Sequence, residues 1–81
     1  MDEQNLITMA NQIGDFFASL PDHEEALGDI ASHIRRFWEP RMRRAILASL
    51  DDDSTVDTSR MSDIVRETLI KHRDELMPAV S

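Results

Sequence analysis

Cysteine is absent from the 81 residues, which excludes disulfides, thiolate metal centres and cysteine nucleophiles. Glycine occurs only as Gly14 and Gly28, both inside stretches of helical period, so a glycine-rich phosphate loop has no place here. No stretch alternates convincingly with period two, and strands are not expected. Residues 1 to 34 contain no Lys or Arg, so there is no basic start of the kind that precedes a secretory signal. No apolar run approaches the ~20 residues of a membrane span. The expectation is a cytoplasmic chain without membrane contact.

The chain does contain strongly segregated charge. The first 34 residues carry seven acids, residues 35 to 44 carry five Arg against Glu39, and residues 45 to 59 add four Asp. From residue 60 onward four bases balance four acids, and the net charge is −7. A general polyanion binder spreads basic charge over much of its surface, because its affinity grows with the phosphates it neutralises. One basic island in an acidic chain fits a protein partner better, and nucleic acid is not expected.

Helical periodicity accounts for most of the remainder. Leu6, Met9, Ala10, Ile13, Phe17 and Leu20 recur at three- and four-residue steps and predict a helix at about 4–19. Ile7 and Phe16 widen its stripe, so it should pack against more than one neighbour. Gly14 costs roughly 1 kcal/mol of helix propensity relative to Ala but lets another helix come close. Asp22 with Glu25 resembles a capping box and starts a second helix at about 23–38, whose stripe is Ala26, Leu27, Ile30, Ala31, Ile34, Phe37 and Trp38. Its last turn carries Arg35 and Arg36, the sign the helix dipole favours there.

Pro40 suits the first position of a third helix at about 40–50, with Met42, Ala45, Ile46 and Leu50 facing inward. Residues 51–59 combine Asp with turn formers and read as a solvated, flexible linker. Thr58 or Ser59 can then cap a last helix at about 60–76, built on Met61, Ile64, Val65, Thr68, Leu69, His72 and Leu76. The expected fold is all-α: one domain, a small bundle of three to four helices with an acidic linker before the last.

Little in this chain suggests chemistry. His23, His33 and His72 form no i, i+4 pair, and a metal site would have to gather one His with carboxylates from different helices. Glu24, Glu25 and Asp29 are accounted for as acids near a helix start rather than as a general acid–base pair. Asp51, Asp52 and Asp53 lack the alternating ligands and turn glycine of a calcium loop. No catalytic, cofactor-binding or metal-binding residue is assigned.

The island from His33 to Arg44 is different. Phe37 continues the Leu27, Ile30, Ile34 stripe and reads as core, with Trp38 partly so. Arg41, Arg43 and Arg44 sit in the first turns of a helix, where the dipole disfavours cations. A sequence shaped for stability alone avoids that placement, and interfaces are enriched in Trp and Arg. Arg35, Arg36, Trp38, Arg41, Arg43 and Arg44 are therefore the candidate partner-binding residues. The same cluster used on phosphate by a small dimeric regulator or nucleic-acid-associated protein is the alternative.

Two segments carry a family resemblance. Met9-Ala10-Asn11-Gln12-Ile13 with Phe16-Phe17, and His33-Ile34-Arg35 with Phe37-Trp38 and Pro40-Arg41-Met42-Arg43, resemble the delta subunit of cytoplasmic, NAD-dependent, molybdenum-containing formate dehydrogenases, over about residues 5–50. The resemblance implies a non-catalytic accessory chain serving assembly, stability or maturation. It also implies that molybdopterin, iron-sulfur clusters and flavin reside in partner subunits, and that the large molybdopterin-containing subunit is the partner. Through its first segment it adds Asn11 and Gln12 to the candidate contact residues. The oligomeric state of the isolated chain stays open.

Overall fold

In the computed structural model, which describes residues 2–79, Asp2 opens the first helix. Its carboxylate accepts from the backbone N–H groups of Gln4 (3.0 Å) and Asn5 (3.4 Å), satisfying two donors that a helix start leaves without partners. Helix α1 runs Glu3–Phe17. Asp22 repeats the device for α2, His23–Phe37, by accepting from Glu24 N–H and Glu25 N–H. Pro40 begins α3, Pro40–Ala48, where its missing N–H is not required.

The fold is all-α, and no strand occurs among the described residues. Helix α2 is central. Its Ala26, Leu27, Ile30, Ala31 and Ile34 are buried, and it packs against α1, against α4, Asp63–Lys71, and against α5, Arg73–Leu76. Fully burying each large aliphatic side chain here contributes about 1.5–3 kcal/mol, which a chain of this size requires. Among the described residues no helix is long and apolar enough to cross a membrane.

Gly14 does what its position suggests. A Cβ there would lie 3.0 Å from Val65 Cγ2 and 3.1 Å from Ile64 Cγ2, so the missing side chain sets how closely α4 approaches α1. Ile7 is buried and α1 touches three helices, as its wide stripe implied.

Several inward assignments change. Phe16 points to solvent, and Leu47, absent from the expected inward set of α3, is buried beside Ile46. The predicted helix at 60–76 starts later, with Ser62 as N-cap, and breaks at His72, whose φ of −107° and ψ of 22° leave the helical region. The resulting single turn of α5 brings Leu76 into the core against α2. Arg73 is placed at the end of α3, donating to Leu47 C=O (3.4 Å) and to Asp51 Oδ1 (3.2 Å), a cation where the dipole of α3 favours one.

The 51–62 segment has no helix, yet α1 fastens it. Gln4 Nε2 donates to Asp57 C=O (2.7 Å), Asn11 Nδ2 donates to Arg60 C=O (2.9 Å), and Asn11 Oδ1 accepts from Ser62 N–H (3.0 Å). Arg66 adds a bond to Thr58 C=O (2.8 Å). Ser59 N–H donates to the Asp57 carboxylate (2.9 Å), a bond that holds this acid below its usual range. Val56 packs against the core and Met61 is buried.

Candidate docking face

The end of α2 determines how the His33–Arg44 island is displayed. Trp38 closes the helix through its N–H to Ile34 C=O (2.9 Å) but takes extended backbone angles, φ −93° and ψ 137°. Its side chain therefore leaves the helical direction and enters the core, where it is 6% exposed. Phe37, the last helical residue, is left 68% exposed. The expected roles of these neighbours are exchanged: Phe37 is a surface ring, and Trp38 is a core residue of the free chain.

Between α1 and the end of α2 lies a groove of about 450 Å³, lined by Met9, Gln12, Ile13, Phe16, Phe17, His33 and Trp38. Trp38, although buried, forms part of its wall. A chain of rings runs from its lining out to Phe37. Phe16 meets Phe17 edge to face at 5.0 Å, Phe17 lies 6.4 Å from His33, and His33 lies 4.8 Å from Phe37. The Arg36 guanidinium stands 5.8 Å from the centre of the Phe37 ring, at the outer edge of cation–π range.

Arg35, Arg36, Arg41 and Arg44 are exposed, and Arg43 is half-buried with its Nε lacking a hydrogen-bond partner among the described residues. None of the five makes an ion pair with another described residue. Arg41 follows Trp38 by three residues, so the chain holds the two Cα atoms within roughly 11 Å. The backbone of Arg41 is therefore close to the α2–α3 end of the groove, while no Arg of the island is in its lining.

The two candidates from α1 diverge. Gln12 is exposed and lines the groove. Asn11 spends both ends of its amide on Arg60 and Ser62, so it fastens the 51–62 segment. The periodicity of α1 carries no signal for that role, because the acceptor and donor it meets are backbone atoms some 50 positions away.

A second polar cluster joins α2 to α4. His23 Nε2 lies 2.8 Å from Glu67 Oε1, and Lys71 Nζ lies 2.9 Å from Glu24 Oε2 and 3.3 Å from Glu67 Oε2. The bond from His23, then that from Lys71, keeps Glu67 below the ordinary glutamate range; Glu24, then Glu67, raises Lys71. The ligand atoms of His23, Glu24 and Glu67 lie within 4.8 Å of one another, a one-His, two-carboxylate grouping across helices that sequence spacing did not reveal. Lys71 already supplies a positive charge to both carboxylates and the group is largely exposed, so the arrangement is accounted for as an interhelical ion network.

The family model described as "NADH-dependant formate dehydrogenase delta subunit FdsD" matches residues 5–69. That range takes in α1, α2, α3, the fastened 51–62 segment and most of α4, and so extends well past the two segments that carry the resemblance in sequence. Neither the curated proteins nor the solved structures contain a match to this chain.

Proposed function

This chain belongs to the family of NADH-dependent formate dehydrogenase delta subunits, and we propose that it is a non-catalytic accessory subunit that docks onto the large molybdopterin-containing subunit of a cytoplasmic formate dehydrogenase. Its work there is assembly, stability or maturation of the complex through protein–protein contacts. The absence of cysteine is in keeping with iron-sulfur clusters, molybdopterin and flavin residing in the partner subunits. The cytoplasmic location follows the resemblance of Met9–Phe17 and His33–Arg43 to the cytoplasmic enzymes.

The observation that carries this reading is the Arg island, whose cations have no ion-pair partner among the described residues and of which Arg41 stands in the first turn of α3, where the dipole disfavours it. Interfaces use Arg in this way because a partner carboxylate can engage its planar fork through two parallel bonds. The test is co-purification with the large subunit after Arg41→Glu and Arg44→Glu are combined. Both side chains are exposed, so helicity is expected to persist while co-purification is lost. Undiminished co-purification would remove the island from the interface.

A further inference from the structure

The groove between α1 and the α2–α3 junction has its own requirements, and from them we infer its occupant: an amphipathic helical segment of the partner subunit, its apolar face against Phe16, Phe17 and Phe37 and its acidic flank against Arg36 and Arg41. This inference rests on the subunit reading given above.

The first ground is the chemistry of the groove. It is mostly apolar and opens broadly to solvent. Its volume of about 450 Å³ falls in the range of small-molecule sites, but such sites bury most of the ligand's surface. A groove open along its length leaves a small ligand wet and instead suits a side-chain row continuous with a partner surface.

The second ground is its rim. Phe16, in the groove lining, and Phe37, which packs on the lining residue His33, are large rings held 75% and 68% exposed. Exposed apolar patches mark interaction sites, and aromatic side chains are favoured anchors at interfaces. The occupant must present apolar side chains spaced to lie between two helices, which is the helix-in-groove mode with anchors at i, i+3 or i+4, and i+7. Strand addition needs a sheet edge, and none exists among the described residues.

The third ground is charge. Arg36 reaches the Phe37 ring and Arg41 follows the groove residue Trp38 by three positions, whereas the α1 wall carries Asp15 next to Phe16. The lining itself holds none of these three charges; Arg36 and Arg41 follow the lining residues His33 and Trp38 on the α2–α3 side, and Asp15 precedes Phe16 on α1. Electrostatic complementarity fixes register and orientation more than raw affinity. The incoming segment is thus expected to carry Asp or Glu along the edge that faces α2–α3 and to lack them opposite Asp15. A second copy of this chain offers the exposed Ile70 of α4 as an apolar face, but Arg66 and Lys71 line that face together with Asp63 and Glu67, so it does not present the acidic flank the groove calls for.

The experiment places p-benzoylphenylalanine at Phe16, at Phe37 and, as a control on α4, at the exposed Ile70, within the assembled formate dehydrogenase complex. Cross-linked peptides are then identified by mass spectrometry. The expected result is that positions 16 and 37 link to one segment of the large subunit with apolar residues at helical spacing and acids on one flank, and that position 70 does not. Phe16→Asp with Phe37→Asp should weaken association by roughly tenfold or more with the helical circular dichroism unchanged. If the complex is intact but positions 16 and 37 give no cross-link, or link to a second copy, a basic segment or an extended one, the groove assignment is overturned and the subunit reading stands. If the wild-type chain does not associate with the large subunit at all, the subunit reading fails, and this inference fails with it.

Discussion

The two polar regions of the molecule use their cations in opposite ways. On the α2–α4 side, Lys71 is shared by Glu24 and Glu67, and Glu67 also takes His23. On the α2–α3 side, Arg35, Arg36, Arg41 and Arg44 stand exposed with no ion pair among the described residues. The first region closes on itself and joins two helices. The second leaves its cations without an ion pair among the described residues, which is the basis on which it is proposed as the docking surface. Net charge does not separate these uses; the positions of the acids do, because α2 begins with Glu24 and Glu25 and ends with Arg35 and Arg36.

That contrast can be broken at its base by removing what both regions depend on. Ile30→Ala empties a fully buried site at the centre of α2 and should cost about 2–5 kcal/mol, read as a fall in the urea midpoint. Both regions would be lost together in so small a chain. Gly14→Val acts less broadly: its new atoms meet Val65 and Ile64 at van der Waals limits or closer. A loss of about 1–3 kcal/mol is expected, and an unchanged urea midpoint would show that α4 can move away freely.

The next experiment sharpens the contrast, because fold and function should respond with opposite signs. Arg41→Glu with Arg44→Glu places one acid in the first turn of α3, where the dipole favours it by about 0.3–1 kcal/mol, and one beyond that turn, where the effect has fallen off. The isolated chain should melt at the same or a slightly higher temperature while association with the large subunit disappears. A variant that loses stability in step with binding would make the island a structural feature.

The smallest effect belongs to the closed network. Glu67 is held below the ordinary glutamate value of 4.5, so its contribution is present above that pH and is lost as the pH falls through the lowered folded value. Lys71 is raised above 10.5, so its contribution is present below that pH and is lost as the pH climbs past the raised value. Glu67→Gln should flatten the acid limb of a stability-versus-pH profile slightly and leave association with the partner unaltered. A steep change in partner binding would place this cluster at the interface too.

Three of the helix signals in the chain were local and came through intact. Asp22 caps where a carboxylate can meet free backbone donors, Pro40 starts a helix because it needs no donor of its own, and Gly14 marks a close approach; the equivalent cap at Asp2 is a finding of the structure. Each depends on atoms within a few residues or on the simple lack of a side chain. The Arg island was legible for the same reason, since charge and dipole sign are properties of position along one helix.

The remaining features depended on three-dimensional neighbours. Periodicity places positions 37 and 38 almost equally near the stripe of Ile34, and only the extended backbone at Trp38 decided that the indole turns inward and the phenyl outward. The role of Asn11 was set by backbone atoms of Arg60 and Ser62, and the break at His72 goes together with the burial of Leu76 in the core. Local pattern by itself determined α1, α2 and α3, the Asp22 cap, the Pro40 start and the basic island, because those follow from interactions within a turn or two; the Ser62 start and His72 break of the last helix, and the unpaired state of the island, came from the tertiary structure. Tertiary packing alone decided that the island borders an aromatic groove, because a groove is the space between helices and no single segment encodes it.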